Sequence, residues 1–197
     1  MSRITVDIDL NRVEGDLEFQ VDLEDGVVVD ARCVGTLYRG FEQIMIGRAP
    51  RDALVITPRV CGICGTAHLY AATLALEQIA HITPPAHAVQ VRNLCLMAET
   101  LQSDLRQSFL FFTPDFCNAN YAAHPLAAEL NAAFTPLKGS VVRGTLKATR
   151  DVLGIVALFG GQWPHSTYML PGGISQPANS RRILDSRGIL AAVRAWF

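Results

Sequence analysis

The hydrophobic pattern changes its period along this chain, and that change limits the folds the chain can adopt. In residues 5–10 and 17–23, apolar side chains alternate with polar ones, as in a strand with one buried face. Residues 24–26 (EDG) are typical of a hairpin turn, and residues 27–34 return as a third strand. The first third therefore predicts a small antiparallel β-sheet.

From about residue 65 the spacing of apolar residues becomes helical. Helices are predicted over 66–80, 89–112 and 141–159, each followed by proline or glycine. The first is apolar around most of its circumference, which predicts a buried helix. The fold class is α+β, a small N-terminal antiparallel sheet followed by a mainly helical body. We interpret residues 1–197 as one domain, β-rich over 1–48 and mainly helical over 49–197.

Two features of the last third complete the secondary structure. Residues 163–177 are rich in proline and glycine and predict an ordered loop. Residues 183–197 predict a further helix whose apolar face is still continuing at Phe197, with no capping signal. We interpret this as truncation of a longer helical body.

The composition indicates a partner subunit and gives no sign of a nucleic-acid-binding surface or a transmembrane segment. Only 18% of the residues are charged, below the roughly 25% of an average soluble domain, which predicts a surface buried against another subunit. Basic and acidic residues nearly balance, 17 against 18, so no nucleic-acid partner is indicated. The longest apolar run, residues 152–159, is too short for a transmembrane segment. No signal peptide is visible, and an odd number of cysteines, five, favours a reducing compartment.

The strongest local signal is the pair Cys61 and Cys64, separated by Gly62 and Ile63. Two cysteines at this spacing can direct both sulfurs at one metal ion. Cys64 begins a predicted helix, where free N–H groups and the macrodipole are expected to stabilise a thiolate. His68 follows one helical turn later. Taken alone, the spacing fits half of a zinc site, a thioredoxin-like redox pair, or two thiolates for nickel or iron.

Three motifs occur in a fixed order: residues 12–16 (RVEGD), 39–42 (RGFE) and 59–64 (RVCGIC). Together they closely resemble the N-terminal motifs of nickel–iron hydrogenase large subunits. The resemblance extends over essentially the whole chain and includes residues 160–165 (GGQWPH) and 171–173 (PGG). This resemblance favours the interpretation of Cys61 and Cys64 as two thiolate ligands for nickel or iron.

The resemblance implies roles for individual residues. Cys61 would be a terminal nickel ligand, and Cys64 would bridge nickel to an iron carrying CO and CN ligands. Glu14 would pass protons away from the cysteines, and His68 would hydrogen-bond the bridging cysteine. Arg59, beside the first cysteine, is counted with Glu14 and His68 among the catalytic residues.

Further positions match a cation site and a gas channel. Glu42 resembles a ligand of a structural Mg²⁺ or similar cation. Ile63 and Phe111 match the two side chains that narrow a hydrophobic gas channel in the family. Both are bulky, as in the group of hydrogen-sensing and cytoplasmic uptake hydrogenases, although sensors often have glutamine where this chain has His68. Asp104 is one position away from an expected active-site aspartate, and no role is transferred to it.

The function implied is heterolytic cleavage of H2 into protons and electrons, with the electrons passed to an iron–sulfur small subunit. Family members supply two further cysteines from a C-terminal motif that has no counterpart here, so the isolated chain is expected to be inactive. The alternatives are an H2-sensing subunit that signals to a kinase, the quinone-site subunit of respiratory complex I, and a zinc-binding structural module. Cys61 and Cys64 argue against the complex I subunit, which lacks the nickel ligands.

The remaining expectations concern location and the other cysteines. The protein is expected to be cytoplasmic, or associated with a membrane through a partner. Cys33, Cys95 and Cys117 are predicted to be small buried core residues, since free cysteine is commonly buried. His165 lies in the proline- and glycine-rich loop and is left without a role.

Overall fold

A computed structural model describes residues 2–10, 12–13 and 15–197. The chain divides into two compact units, Met1–Gly40 and Phe41–Phe197. The first is a sheet and the second is mainly helical, which confirms the predicted α+β class. That the two units form one domain stays a prediction from the sequence.

The first unit is a three-stranded antiparallel sheet in the order β1 (Arg3–Leu10), β2 (Leu17–Glu24) and β3 (Val27–Gly35). The predicted hairpin turn is present between β2 and β3. Asp25 and Gly26 both have positive φ values there, 50° and 82°, as a tight two-residue hairpin requires.

The two faces of this sheet differ in polarity. Ile4, Val6 and Ile8 of β1 lie opposite Leu23, Val21 and Phe19 of β2, so apolar side chains share one face. This face remains open in the described structure, where Ile4 and Ile8 are about half exposed. The buried residue of the sheet is instead a charged one, Asp22, which accepts hydrogen bonds from Thr5, Arg3 and Arg32.

The second unit is built on four long helices. They are α3 (Gly65–Ala80), α4 (Ala86–Arg106), α6 (Ser140–Gly160) and α7 (Ser180–Trp196). Shorter elements connect them: α1 (Phe41–Met45), α2 (Ala53–Ile56), α5 (Ala127–Phe134), and a two-stranded ribbon of β4 (Met169–Leu170) and β5 (Gly173–Ile174).

The hydrophobic core lies where α3, α4, α6 and α7 pack together with β4. The buried apolar residues at its centre are Leu69, Val91, Cys95, Ala98, Leu105, Val152, Leu153, Ile155, Val156, Phe159 and Met169. Apolar residues at spacings of three and four on α4 and α6 face one another across this core. The core therefore fixes α4 in place, and α4 holds the residues that support the cysteine loop.

The structure departs from the sequence predictions at several points. The first helix begins at Phe41, inside the stretch 1–48 expected to be β-rich. The predicted helix over 89–112 is α4 followed by one π-helical turn, Gln107–Phe112, and α5 was not predicted. Helix α3 buries only one face, including Leu69 and Thr73, and exposes Leu74 and Ile79. Of the cysteines outside the pair, Cys95 is buried and Cys117 is half-buried, but Cys33 is exposed, so the prediction for Cys33 is wrong.

Candidate metal centre

The cysteine pair lies in a short loop that leads into α3. A 3-10 turn, Thr57–Arg59, precedes the loop, and Cys64 is the residue immediately before the helix. The Thr57 hydroxyl lies 2.8 Å from the Ala53 carbonyl oxygen and 3.2 Å from that of His68, so it ties the turn to both flanking helices. The loop is therefore fixed on both sides.

Close backbone packing at Gly65 tightens this arrangement. A Cβ atom on Gly65 would lie 3.0 Å from the Pro58 carbonyl oxygen. The same oxygen is 2.9 Å from Nδ1 of His165, which comes from the loop after α6. His165, left without a role by sequence reasoning, thus joins the distant GQWPH segment to the turn before the cysteines.

The two sulfurs are brought together as the CxxC spacing predicts. The Cys61 Sγ accepts hydrogen bonds from the backbone N–H groups of Ile63 and Cys64, each with an N–S distance of 3.3 Å. Cys64 lies close enough to Cys61 for the neighbouring sulfur to raise the pKa of its thiol. Donors that converge on one sulfur favour negative charge there, and two adjacent soft sulfurs suit a transition metal.

The prediction that the start of α3 stabilises a Cys64 thiolate is wrong in the described structure. Burial raises the pKa of Cys64 to about 12, and Cys61 and the charge of Glu99 act in the same direction. The helix N–H groups that would have stabilised the thiolate are occupied. Thr66 and Ala67 both donate their backbone N–H groups to the Glu99 carboxylate, at 2.9 Å each.

Glu99 was missed by the sequence analysis. It lies on α4 and is only 3% exposed. The signal available was its spacing: Cys95 and Gln102 lie four residues before and three residues after it, and all three are buried on one face of α4. Glutamate at such a position needs partners, and here they are the first-turn N–H groups of α3.

Glu99 also affects two other titratable groups, the Cys95 thiol and the Tyr168 hydroxyl. Burial raises the pKa of the Cys95 thiol to about 11, and the charge of Glu99 adds to the rise. Burial also raises the pKa of Tyr168, and both Cys95 and Glu99 contribute. No arginine or lysine forms an ion pair with Glu99 within the described ranges.

A second buried carboxylate, Glu77, lies near the other end of α3. Arg92 of α4 donates to both of its oxygens, at 2.8 and 3.2 Å, and the Gly172 N–H donates at 2.9 Å. Arg92 also donates to the carbonyl oxygens of Leu170 and Gly173, both at 2.7 Å. This cluster fastens the β4–β5 ribbon to α3 and α4.

The other predicted site residues are placed as follows. Glu14 lies outside the described residues. Arg59 is exposed, and its guanidinium donates to the Val55 carbonyl oxygen. Glu42 is exposed in the first turn of α1. His68 is half-buried in the first turn of α3.

The two channel positions differ in their surroundings. Ile63 is half-buried between the two cysteines. Phe111 is 41% exposed in the π-helical turn, with the Arg106 guanidinium 5.9 Å from its ring centre. The channel role of both residues stays a prediction.

Only part of a metal site is present. Among the residues with a described placement, no three His, Cys, Asp or Glu side chains lie close enough together to hold a metal ion. Cys61 and Cys64 are brought together, and the expected roles of Glu42 and His68 stay predictions. The geometry therefore fits one half of a thiolate-ligated centre.

The sequence resemblance is confirmed by comparison with known families. Residues 39–141, just over half of the chain, match the nickel-dependent hydrogenase family. The matched region contains the cysteine loop and both helices that support it. The chain belongs to this family.

Individual relatives agree with this assignment. The large subunit of the periplasmic [NiFeSe] hydrogenase of Desulfomicrobium baculatum is 32% identical over 198 aligned residues, which cover 93% of this chain and 38% of that protein. The hydrogenase-2 large chain of Escherichia coli K12 is 28% identical, with 99% of this chain and 42% of that one covered. The chain thus spans about two fifths of the length of these relatives.

Solved structures show the same fold. The Ni-Fe-Se hydrogenase from D. vulgaris Hildenborough in the reduced state is 35% identical, with a TM-score of 0.78 over 98% of this chain and 42% of that one. The H2-activated [NiFeSe] hydrogenase of Dm. baculatum is 31% identical, with a TM-score of 0.80 and the same coverage. None of the helices described here combines the length and apolar character needed to cross a membrane.

Proposed function

We propose that this chain is the part of a nickel–iron hydrogenase large subunit that supplies Cys61 and Cys64 to the metal centre. The intact subunit cleaves H2 heterolytically into protons and electrons. The observation that carries the proposal is the cysteine loop at the start of α3, where the Cys61 sulfur accepts the backbone N–H groups of Ile63 and Cys64, in a chain of the nickel-dependent hydrogenase family.

The donor set supports nickel and iron as the metals. Thiolates are soft ligands that suit these ions, and heterolytic cleavage needs both a Lewis acid and a nearby base. When bound, a nickel–iron centre with CO and CN on the iron supplies the Lewis acidity that polarises H2. The resemblance to the family implies that the remaining ligands come from polypeptide outside residues 1–197, and we expect the chain alone to be inactive.

The chain's own residues hold the centre and move the proton. Cys61 and Cys64 would hold the metals, and a thiolate of the pair would accept the proton that heterolytic cleavage of H2 releases. Glu14 would take that proton onward, and His68 would hydrogen-bond Cys64. Arg59 supports the turn before Cys61 through its bond to the Val55 carbonyl.

Three further assignments complete the proposal. Glu42 binds a structural Mg²⁺ or similar cation, and Ile63 and Phe111 restrict the path of gas to the metals. Electrons leave through an iron–sulfur small subunit. The exposed apolar residues of the sheet, such as Ile4 and Ile8, support a chain that is covered by other polypeptide. A cytoplasmic location, or membrane association through a partner, stays a prediction.

The test is to purify the native complex through a tag on this chain and measure its nickel content and H2–D2 exchange. We expect about one nickel per complex and measurable exchange. Cys61→Ser and Cys64→Ser should remove both, because each deletes a ligand. Cys33→Ser changes an exposed cysteine in the sheet and should leave both readouts unchanged. A complex without nickel, or nickel that survives both ligand substitutions, would contradict the proposal.

A further inference from the structure

Glu99 is a buried carboxylate that touches the metal-binding loop from a different helix. It projects from α4 and accepts the backbone N–H groups of Thr66 and Ala67, the second and third residues after Cys64. It is 3% exposed, so it is held in one place by the packing of α4 and by these two bonds. Any shift of Glu99 is therefore transmitted to the backbone that carries Cys64.

The charge of Glu99 is not balanced by a cation in the described part of the chain. Two N–H donors and the positive end of the helix dipole offset part of the desolvation of a buried carboxylate. Glu77, by comparison, has Arg92 at 2.8 Å. The groups that face Glu99 are instead the acids Cys64, Cys95 and Tyr168. A divalent cation on the Cys61 and Cys64 sulfurs would place positive charge beside it.

We propose that Glu99 is a positioning residue of the metal centre, which orients the start of α3 and provides the negative charge that stabilises a cation on Cys61 and Cys64. This inference rests on the proposed function, because it requires the cysteine pair to bind metal. A neutral cap such as asparagine or serine would satisfy one of the same N–H groups without a buried charge. The use of glutamate is therefore explained by the cation.

In the experiment, the reduced 197-residue chain is titrated with Co²⁺. Binding is measured from the sulfur-to-cobalt charge-transfer absorption. We expect Glu99→Gln, which keeps the size but removes the charge, to weaken Co²⁺ binding about 10-fold, as for other outer-shell partners of metal sites. Glu99→Asp keeps the charge and should recover most of the affinity. Glu129→Gln removes an exposed first-turn carboxylate from α5 and serves as the matched control, with unchanged binding expected.

The outcomes separate this inference from the function on which it rests. If Cys61→Ser leaves the Co²⁺ absorption unchanged, the cysteines do not bind the metal and the proposed function fails. If Cys61→Ser removes the absorption but Glu99→Gln binds as tightly as the unmodified chain, the role of Glu99 is overturned and the proposed function stands. Equal weakening by Glu99→Gln and Glu129→Gln would also overturn it.

A second measurement does not depend on the folding of a variant. Hydrogen–deuterium exchange of the unmodified chain should show slow exchange at the Thr66 and Ala67 amides, because both are bonded to a buried carboxylate. Adding Co²⁺ should slow their exchange further, since the cation strengthens the hold of Glu99 on this turn. Exchange at these amides that is unaffected by bound Co²⁺ would contradict the coupling.

Discussion

Helix α3 is held near its two ends by buried carboxylates that differ in one respect. Glu77, in the last turn, is paired with Arg92, whereas Glu99, which reaches the first turn from α4, has no cation beside it within the described residues. Both are almost fully buried and both accept backbone N–H groups. Glu77, whose charge is balanced, holds the β4–β5 ribbon at the last turn of α3. Glu99, whose charge is not balanced, supports the first turn of α3, next to the cysteines.

The comparison between Glu77 and Glu99 distinguishes a buried carboxylate that stabilises the fold from one that supports a metal site. The buried Glu77–Arg92 pair has its charges balanced, and it mainly fixes which elements meet. A buried carboxylate that faces Cys64, Cys95 and Tyr168 is complete only when a positive charge is added.

The largest effect is expected from Arg92→Met, which makes Glu77 as unbalanced as Glu99. Arg92 donates to Glu77 and to the Leu170 and Gly173 carbonyl oxygens, so its removal leaves a buried charge and two carbonyl groups without their donor. We expect the free energy of unfolding to fall by about 3–5 kcal/mol. Urea denaturation followed by circular dichroism measures it.

The matched control is Arg143→Met, at an exposed position on α6, where we expect a change within about 0.5 kcal/mol. A loss of under about 1 kcal/mol from Arg92→Met would mean that the Glu77 end is as tolerant of charge imbalance as the Glu99 end. The comparison between the two carboxylates would then fail.

The second effect is a loss of stability at alkaline pH that arises at the Glu99 end. Burial raises the pKa of Cys95 to about 11. The folded chain therefore keeps this proton when the unfolded chain, with an ordinary thiol, has lost it. The stabilisation from Cys95 is fully present below the pKa of the thiol in the unfolded chain, and it is lost as pH rises through the pKa of the thiol in the folded chain. In between, the free energy of unfolding falls with a limiting slope of about 1.4 kcal/mol per pH unit.

Urea denaturation between pH 8.5 and 10.5 under reducing conditions measures this slope. Cys95→Ala should make it shallower, whereas Cys33→Ala, at an exposed cysteine, should leave it unchanged. If Cys95→Ala and the unmodified chain show the same slope, the thiol next to Glu99 does not hold its proton as the geometry implies.

The loss of stability at acid pH depends in part on the other buried carboxylate, Glu77. Burial raises the pKa of Glu77, but the hydrogen bonds from Arg92 and Gly172 outweigh it, so the net pKa is lowered. Its stabilisation is present above the unfolded pKa and is lost as pH falls through the folded one. Glu77 therefore contributes to the acid limb, together with Asp22 and Asp151, whose pKa values are also lowered by hydrogen bonds, and the surroundings of Glu99 contribute to the alkaline limb.

The smallest effect is expected from Thr57→Val. Its hydroxyl bonds the carbonyl oxygens of Ala53 and His68 in a half-buried position. We expect a loss of about 1 kcal/mol, because these acceptors lose a donor. Thr100→Val is the control, since Thr100 makes the same type of bond to Leu96 on an exposed face. Equal losses from the two variants would show that the half-buried bonds of Thr57 stabilise the chain no more than the exposed bond of Thr100 does.

Much of this fold follows from local sequence patterns. The alternation in residues 5–10 and 17–23 predicts the first two strands, and the glycine and charged residues of the turn predict the hairpin. The spacing of Cys61 and Cys64 predicts that their sulfurs meet, because the geometry is set within four residues. The motifs predict the family.

The remaining features depend on contacts that local patterns do not encode. Glu99 bonds residues 32 and 33 positions away, and a single glutamate in a helix is ordinarily solvated. The burial of Cys64, with Cys61 and Glu99 acting in the same direction, reverses a prediction made from the helix terminus alone. The partial exposure of α3 was also missed, since an apolar composition does not specify which side is covered. Helix α5 has only eight residues and too short a pattern to recognise.

The open apolar face of the sheet has a consequence for handling the protein. Strands β1 and β3 are the two edge strands of that sheet, and Ile4, Val6 and Ile8 lie unprotected along one of them. Edge strands with exposed apolar side chains are templates for strand pairing between molecules. Purified alone, the chain should self-associate as its concentration rises, and any polypeptide that covers this face should suppress the aggregation.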